Sequence, residues 1–67
     1  MNFIKIINRK DEIGFLNKDK IIVFTEASKN NISKKFEVSL ELENQIIIAT
    51  FKTSKAASIF IDQLLSI

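Results

Sequence analysis

The sequence contains no cysteine, histidine, proline, tryptophan or tyrosine, one glycine (Gly14) and one arginine (Arg9). Without cysteine there is no disulfide to staple the chain and no thiolate to hold a metal. Without histidine the usual general base near neutral pH is missing, and so is the commonest nitrogen ligand for zinc, copper or iron. A nucleophile would have to be Ser, Thr or Lys activated by a carboxylate or a second lysine, and no motif places such a pair. One glycine cannot build a phosphate-cradling loop. Glu37 and Glu41 share one side of an alternating strand, but positions four apart on a strand lie about 13 Å from each other. That is too far for two carboxylates working on one bond. Asp11, Glu12 and Asp19 sit on neighbouring turns where a hard cation could gather acids, although acids in turns ordinarily face water. The expectation is a protein that is not an enzyme and has no cofactor or metal site.

No apolar run approaches the roughly 20 residues of a membrane span. The first ten residues are interrupted by Lys5 and Asn8 and carry no signal-peptide pattern, so a cytoplasmic protein without membrane attachment is expected. The net charge is +2 with lysines and acids interleaved, which describes an ordinary solvated surface. Heavy use of Ile, Lys and Asn reads as the codon bias of an AT-rich bacterial or phage genome and weakens any argument from the high pI.

What is present is apolar residues, 46% of a 67-residue chain. That length is one small domain over residues 1–67. At this size, burial and conformational entropy nearly cancel. With disulfides and the usual metal ligands missing, self-association is the remaining stabiliser, and a homo-oligomer, most simply a dimer, is expected.

Phe3, Ile4, Ile6 and Ile7 form a first strand with apolar residues on both parities, as in a strand at least partly buried on both faces. Residues 9–12 make a turn, and 13–16 a second strand in which Gly14 suggests a bulge or a close backbone approach. After a turn at 17–20, residues 21–24 form a third strand, again apolar on both parities. Residues 27–34 are the longest polar stretch and read as a loop. Phe36, Val38, Leu40 and Leu42 then alternate with Lys35, Glu37, Ser39 and Glu41, the clearest two-residue period in the chain. Glu43-Asn44 supplies a two-residue hairpin turn, and the fifth strand spans 45–52.

Thr53 or Ser54 should cap a C-terminal helix. Its apolar residues, Ala56, Ala57, Phe60, Ile61, Leu64 and Leu65, are widened by Ile59 and Ile67 to an arc of about 240°, against about 100° for an ordinary surface helix. The polar side, Lys55, Ser58, Asp62 and Ser66, is narrow. One sheet cannot cover so wide an arc. Phe51, Ile59, Phe60, Ile61 and Leu65 are therefore the expected contacts with a second copy or another protein. The fold class is α+β: an antiparallel β-meander of about five strands followed by one C-terminal amphipathic helix. The function expected is a small non-enzymatic interaction or accessory module. The alternative is a single-stranded nucleic-acid binder displaying phenylalanines between lysines on a sheet, with Lys5, Lys20, Lys35, Lys52 and Lys55 as contacts.

Leu16-Asn17, the segment Ile21 to Glu26 that carries the third strand into an acid, and the run Phe51-Lys52-Thr53-Ser54 before the helix fall in an order and spacing that resembles the short bacterial FlbD-like flagellar proteins. The likeness spans most of the chain. It departs where those proteins carry turn glycines, since Asp11-Glu12 and Glu43-Asn44 stand there instead, and the loop at 27–34 is longer. The resemblance implies a small accessory protein without catalytic activity and transfers no functional residues.

Overall fold

A computed structural model describes residues 3–65. Ser66 and Ile67, which the helical pattern assigns to the polar and apolar sides, lie outside the described residues. Strand β1 (Phe3–Ile7) pairs antiparallel with β2 (Ile13–Asn17), placing Ile4 opposite Leu16 and Ile6 opposite Gly14. Asn8 shapes the turn between them. Its side-chain oxygen accepts hydrogen bonds from the backbone N–H of Lys10 (2.9 Å) and Glu12 (3.0 Å). Asp11 takes a left-handed φ of 61° there, a conformation Asp tolerates better than most residues. The bulge expected at Gly14 does not form. The ladder runs straight through, and an added Cβ would lie 4.0 Å from Ile6 Cγ1, an ordinary contact.

A 3₁₀ turn (Lys18–Lys20) follows, with the Asn17 side-chain oxygen accepting from the Asp19 N–H at 2.9 Å. The main sheet is centred on β5 (Phe36–Glu41). Strand β6 (Ile46–Phe51) pairs along one side of β5, and the short strands β3 (Val23–Phe24) and β4 (Ser28–Lys29) pair end to end along the other. β3 is shorter than the four-residue strand expected at 21–24, although the Ile22 N–H still donates to the Glu41 carbonyl at 2.8 Å.

Strand β4 lies inside the segment read as a polar loop. Ladder pairing uses the backbone, so Ser28 opposite Glu37 and Lys29 opposite Phe36 form a strand despite polar side chains. The loop contracts to residues 30–35. There the Asn30 side-chain oxygen accepts from the N–H groups of Ile32 (2.9 Å) and Ser33 (3.2 Å), and Lys34 takes φ 63°. Asn8, Asn17 and Asn30 do the same job at three turns, each lending a side-chain oxygen to backbone donors just downstream.

Helix α1 (Ser54–Leu65) is capped by Thr53, whose hydroxyl accepts from the Ala56 N–H at 3.1 Å. The helix lies on the face of the main sheet formed by Val38, Leu40 and Ala49. Ala57 and Phe60 from the helix and Ile6 from β1 complete the buried cluster. Phe51 and Phe60 pack with ring centroids 4.9 Å apart. The β1–β2 hairpin shares no ladder with the main sheet. It joins through Ile6 in the core and through buried Thr50, whose hydroxyl donates to the Ile7 carbonyl at 3.1 Å with the Asn8 carbonyl at 3.3 Å.

The left-handed Lys34 gives a direct test. An L-residue in that region costs about 1–2 kcal/mol, and glycine removes that cost while raising the entropy of the unfolded chain. Lys34→Gly is therefore expected to stabilise the protein by about 0.5–1 kcal/mol, read as a higher urea midpoint at unchanged slope. A lower midpoint would refute the assignment.

Candidate interaction surface

Strand parity decides what the hairpin shows to solvent. Ile4, Ile6 and Leu16 face the core, so Phe3, Lys5 and Ile7 of β1 and Ile13 and Phe15 of β2 face outward. On that outer face Phe3 is 53% exposed, Ile13 61% and Phe15 68%, with Ile7 at 39%. The strand expected to be at least partly buried on both faces is thus buried on one. The core-facing side is the one covered by α1 and the main sheet, and among the described residues Phe3, Ile13 and Phe15 on the other side stay more than half exposed.

The outer face continues into a groove of about 720 Å³ between β1 and the helix, where Phe3 and Lys5 face Ala56, Ile59, Phe60 and Gln63. The five apolar contacts expected from the helical arc divide. Phe60 is 4% exposed and belongs to the chain's own core, and Phe51 and Ile61 are half-buried against it. Ile59 and Leu65 are exposed, at 50% and 65%, and of these Ile59 borders the groove beside Phe3. Much of the wide helical arc is absorbed by the hairpin, which packs Ile6 and Leu16 into the same cluster. The residues that sequence reasoning missed are Phe3, Ile13 and Phe15. The available signal was Ile13 and Phe15 alternating with Gly14 and Leu16, which marks a strand with two unlike faces.

The five candidate lysines do not form one cluster, although Lys35 and Lys52 share a groove. Lys5 lies on the outer hairpin face, Lys20 at the end of the 3₁₀ turn, and Lys52 and Lys55 flank the helix start. Lys35 bonds Asp11 at 2.7 Å and with Lys52 borders a separate groove of about 310 Å³. Among the described residues, no group of three or more acids is placed to hold a metal ion, and no helix is long and apolar enough to cross a membrane.

Two ion pairs fasten the hairpin tip, one to β5 of the main sheet and one to Lys35 just before it. Arg9 donates from Nε (3.0 Å) and Nη2 (2.8 Å) to the two carboxylate oxygens of Glu37, whose side chain is only 11% exposed. The fork fixes the tip in position as well as in charge. The hydrogen bonds from Arg9 are the main reason the Glu37 carboxyl sits below its ordinary pKa, and the one from Lys35 does the same for Asp11. The same contact holds the Arg9 guanidinium above its ordinary value.

Comparison with protein-family models, curated proteins and solved structures finds no match to this chain.

Both carboxylates have depressed pKa values in the folded state. Their contribution is complete above the ordinary carboxylate range and is lost as pH falls through the lowered values. Acidification below about pH 4 is thus expected to loosen residues 8–12 before the main sheet unfolds. Amide resonances of that turn should shift and their exchange should accelerate while those of β5 and β6 hold. Glu37→Gln should show the same loosening at neutral pH. A tip indifferent to both changes would show that the ion pairs do not fasten it.

Proposed function

We propose that this chain is a small non-enzymatic interaction module that acts by self-association, with the outer face of its first hairpin as the contact surface. The observation that carries this reading is the exposure of Phe3, Ile13 and Phe15 side by side with Ile7 on one face. Together they present on the order of 400 Å² of apolar surface, comparable to the largest patch on a typical monomer and often functional there. Among the described residues the core holds six buried apolar side chains, two of them alanine, which supports it, because so little buried volume leaves stability dependent on further burial. The resemblance to FlbD-like proteins points to the same class, a small accessory protein.

A second reading is favoured by one detail. Phe15 lies directly across the ladder from Lys5, with Phe3 two residues away on the same face. Two aromatics flanking a cation form the kind of platform on which unpaired bases stack.

Sedimentation equilibrium at micromolar concentration should return a mass above that of one chain. Phe15→Lys should weaken association at least about tenfold, the equivalent of forfeiting one buried aromatic, with an unchanged circular dichroism spectrum. A mass of one chain across the concentration range would end the self-association reading. For the second reading, a labelled single-stranded oligonucleotide should bind at low salt, release as salt rises, and fail to bind Phe15→Ala. No binding at low salt would end it.

A further inference from the structure

The two edges of the main sheet are built differently. Along the β3–β4 edge the register breaks: Phe24 pairs with Leu40 and Ser28 with Glu37, so Glu26 and Ala27 together oppose Val38 as a bulge. The Thr25 side chain adds to the break by accepting from the Ser39 N–H at 3.1 Å. Glu26 within the bulge and Lys29 beyond it are exposed charges. Bulges and charges are how natural sheets prevent an edge from pairing with another chain.

The β6 edge has none of these devices. Residues 46–51 read Ile-Ile-Ile-Ala-Thr-Phe, without charge, proline or glycine, and pair with β5 in unbroken register. The Leu42 N–H donates to the Gln45 carbonyl at 2.8 Å and closes the hairpin. Hydrogen-bonded pairs therefore alternate from there through Leu40–Ile47 and Val38–Ala49. Ile46 and Ile48 then direct their N–H and C=O groups away from β5, toward the open edge. Ile46 is 61% exposed. The hairpin tip closes the far end of this edge at Thr50 and leaves a groove of about 260 Å³ bordered by Lys10, Glu12, Ile46 and Ile48.

We propose that this edge pairs with β6 of a second copy, antiparallel about a two-fold axis at Ile47. In that register Ile46 of each copy exchanges both backbone hydrogen bonds with Ile48 of the other. The outward isoleucines of the two copies then meet on one face. The exposed turn residue Glu43 of each copy is carried toward exposed Lys10 on the other copy's hairpin tip. The self-complementary register and this reciprocal charge match select a second copy, since a foreign strand would satisfy only the backbone. The contact is separate from the hairpin face. A chain using both joins copies at two isologous surfaces and assembles beyond a dimer.

The native protein gives the first test. Hydrogen exchange at the Ile46 and Ile48 amides should slow as concentration rises, while the Ile47 amide, bonded to β5, is protected throughout. The second uses the absence of native cysteine. Ile47→Cys, made in a Phe15→Lys background that removes the hairpin contact, should oxidise to a covalent dimer, because facing non-hydrogen-bonded positions meet disulfide geometry. Ile46→Cys and Ile48→Cys should not cross-link efficiently. Ile46→Pro, at the first strand position and on the outward side where proline is tolerated, should reduce the Phe15→Lys protein to a single-chain mass. If Phe15→Lys alone is already monomeric, or Ile46 and Ile48 exchange at a rate independent of concentration, edge pairing is wrong while the hairpin reading stands. If Phe15→Lys changes nothing and Ile46→Pro dissociates the protein, the hairpin reading fails and edge pairing stands. Cross-linking at Ile48 in place of Ile47 overturns the register.

Discussion

The architecture depends on how a hairpin with no ladder to the rest of the chain is held in place. Thr50 is buried at 5% exposure, and its hydroxyl reaches the carbonyls of Ile7 and Asn8 where β1 turns away from the sheet. A buried hydroxyl is costly unless bonded, and so is a carbonyl enclosed at such a junction. Each satisfies the other, and the contact sets where β1 meets β6. Given that placement, Ile6 enters the cluster of Val38, Leu40, Ala49, Ala57 and Phe60, and Arg9 comes within reach of Glu37. The junction thus also determines which hairpin face is dry and which is wet.

The parts legible in the sequence are those where pattern and local chemistry agree. Alternation from Phe36 to Leu42, the Glu43-Asn44 turn and the Thr53 hydroxyl before an apolar helical period produce β5, β6 and α1 close to the expected positions. Side chains placed β4 in a loop because Ser28 and Lys29 carry no apolar signal, yet their backbone completes the edge of β5. Gly14 suggested a bulge or a close backbone approach and shows neither, whereas the bulge falls at Glu26 and Ala27, where no special residue marks it. For the candidate surface the helical arc was visible but its owner was not. Phe60 faces the chain's own sheet, and the wet apolar area moves to Phe3, Ile13 and Phe15. Which of two apolar parities is buried depends on the docking of distant elements, and periodicity carries no information about that.

The protein also shows two ways of treating exposed backbone. The three asparagines that close its turns satisfy donors locally, so turns without proline or an internal glycine remain well defined. The β3–β4 edge is broken by a bulge and a threonine hydroxyl acceptor, and is thereby unsuited to extension. The plain strand on the opposite side leaves the sheet asymmetric, with one end finished and the other open.

The separation of the hairpin from the main sheet also bears on synthesis. A ribosome delivers β1 and β2 before any of the residues they pack against. Ile6 and Leu16 find part of their cover when Val38, Leu40 and Ala49 emerge and the rest only with Ala57 and Phe60, so early in translation both sides of the hairpin are unshielded together. An isolated two-stranded hairpin has little stability in water. The newly made hairpin is therefore an aggregation-exposed apolar stretch until the main sheet and α1 arrive to cover its inner side.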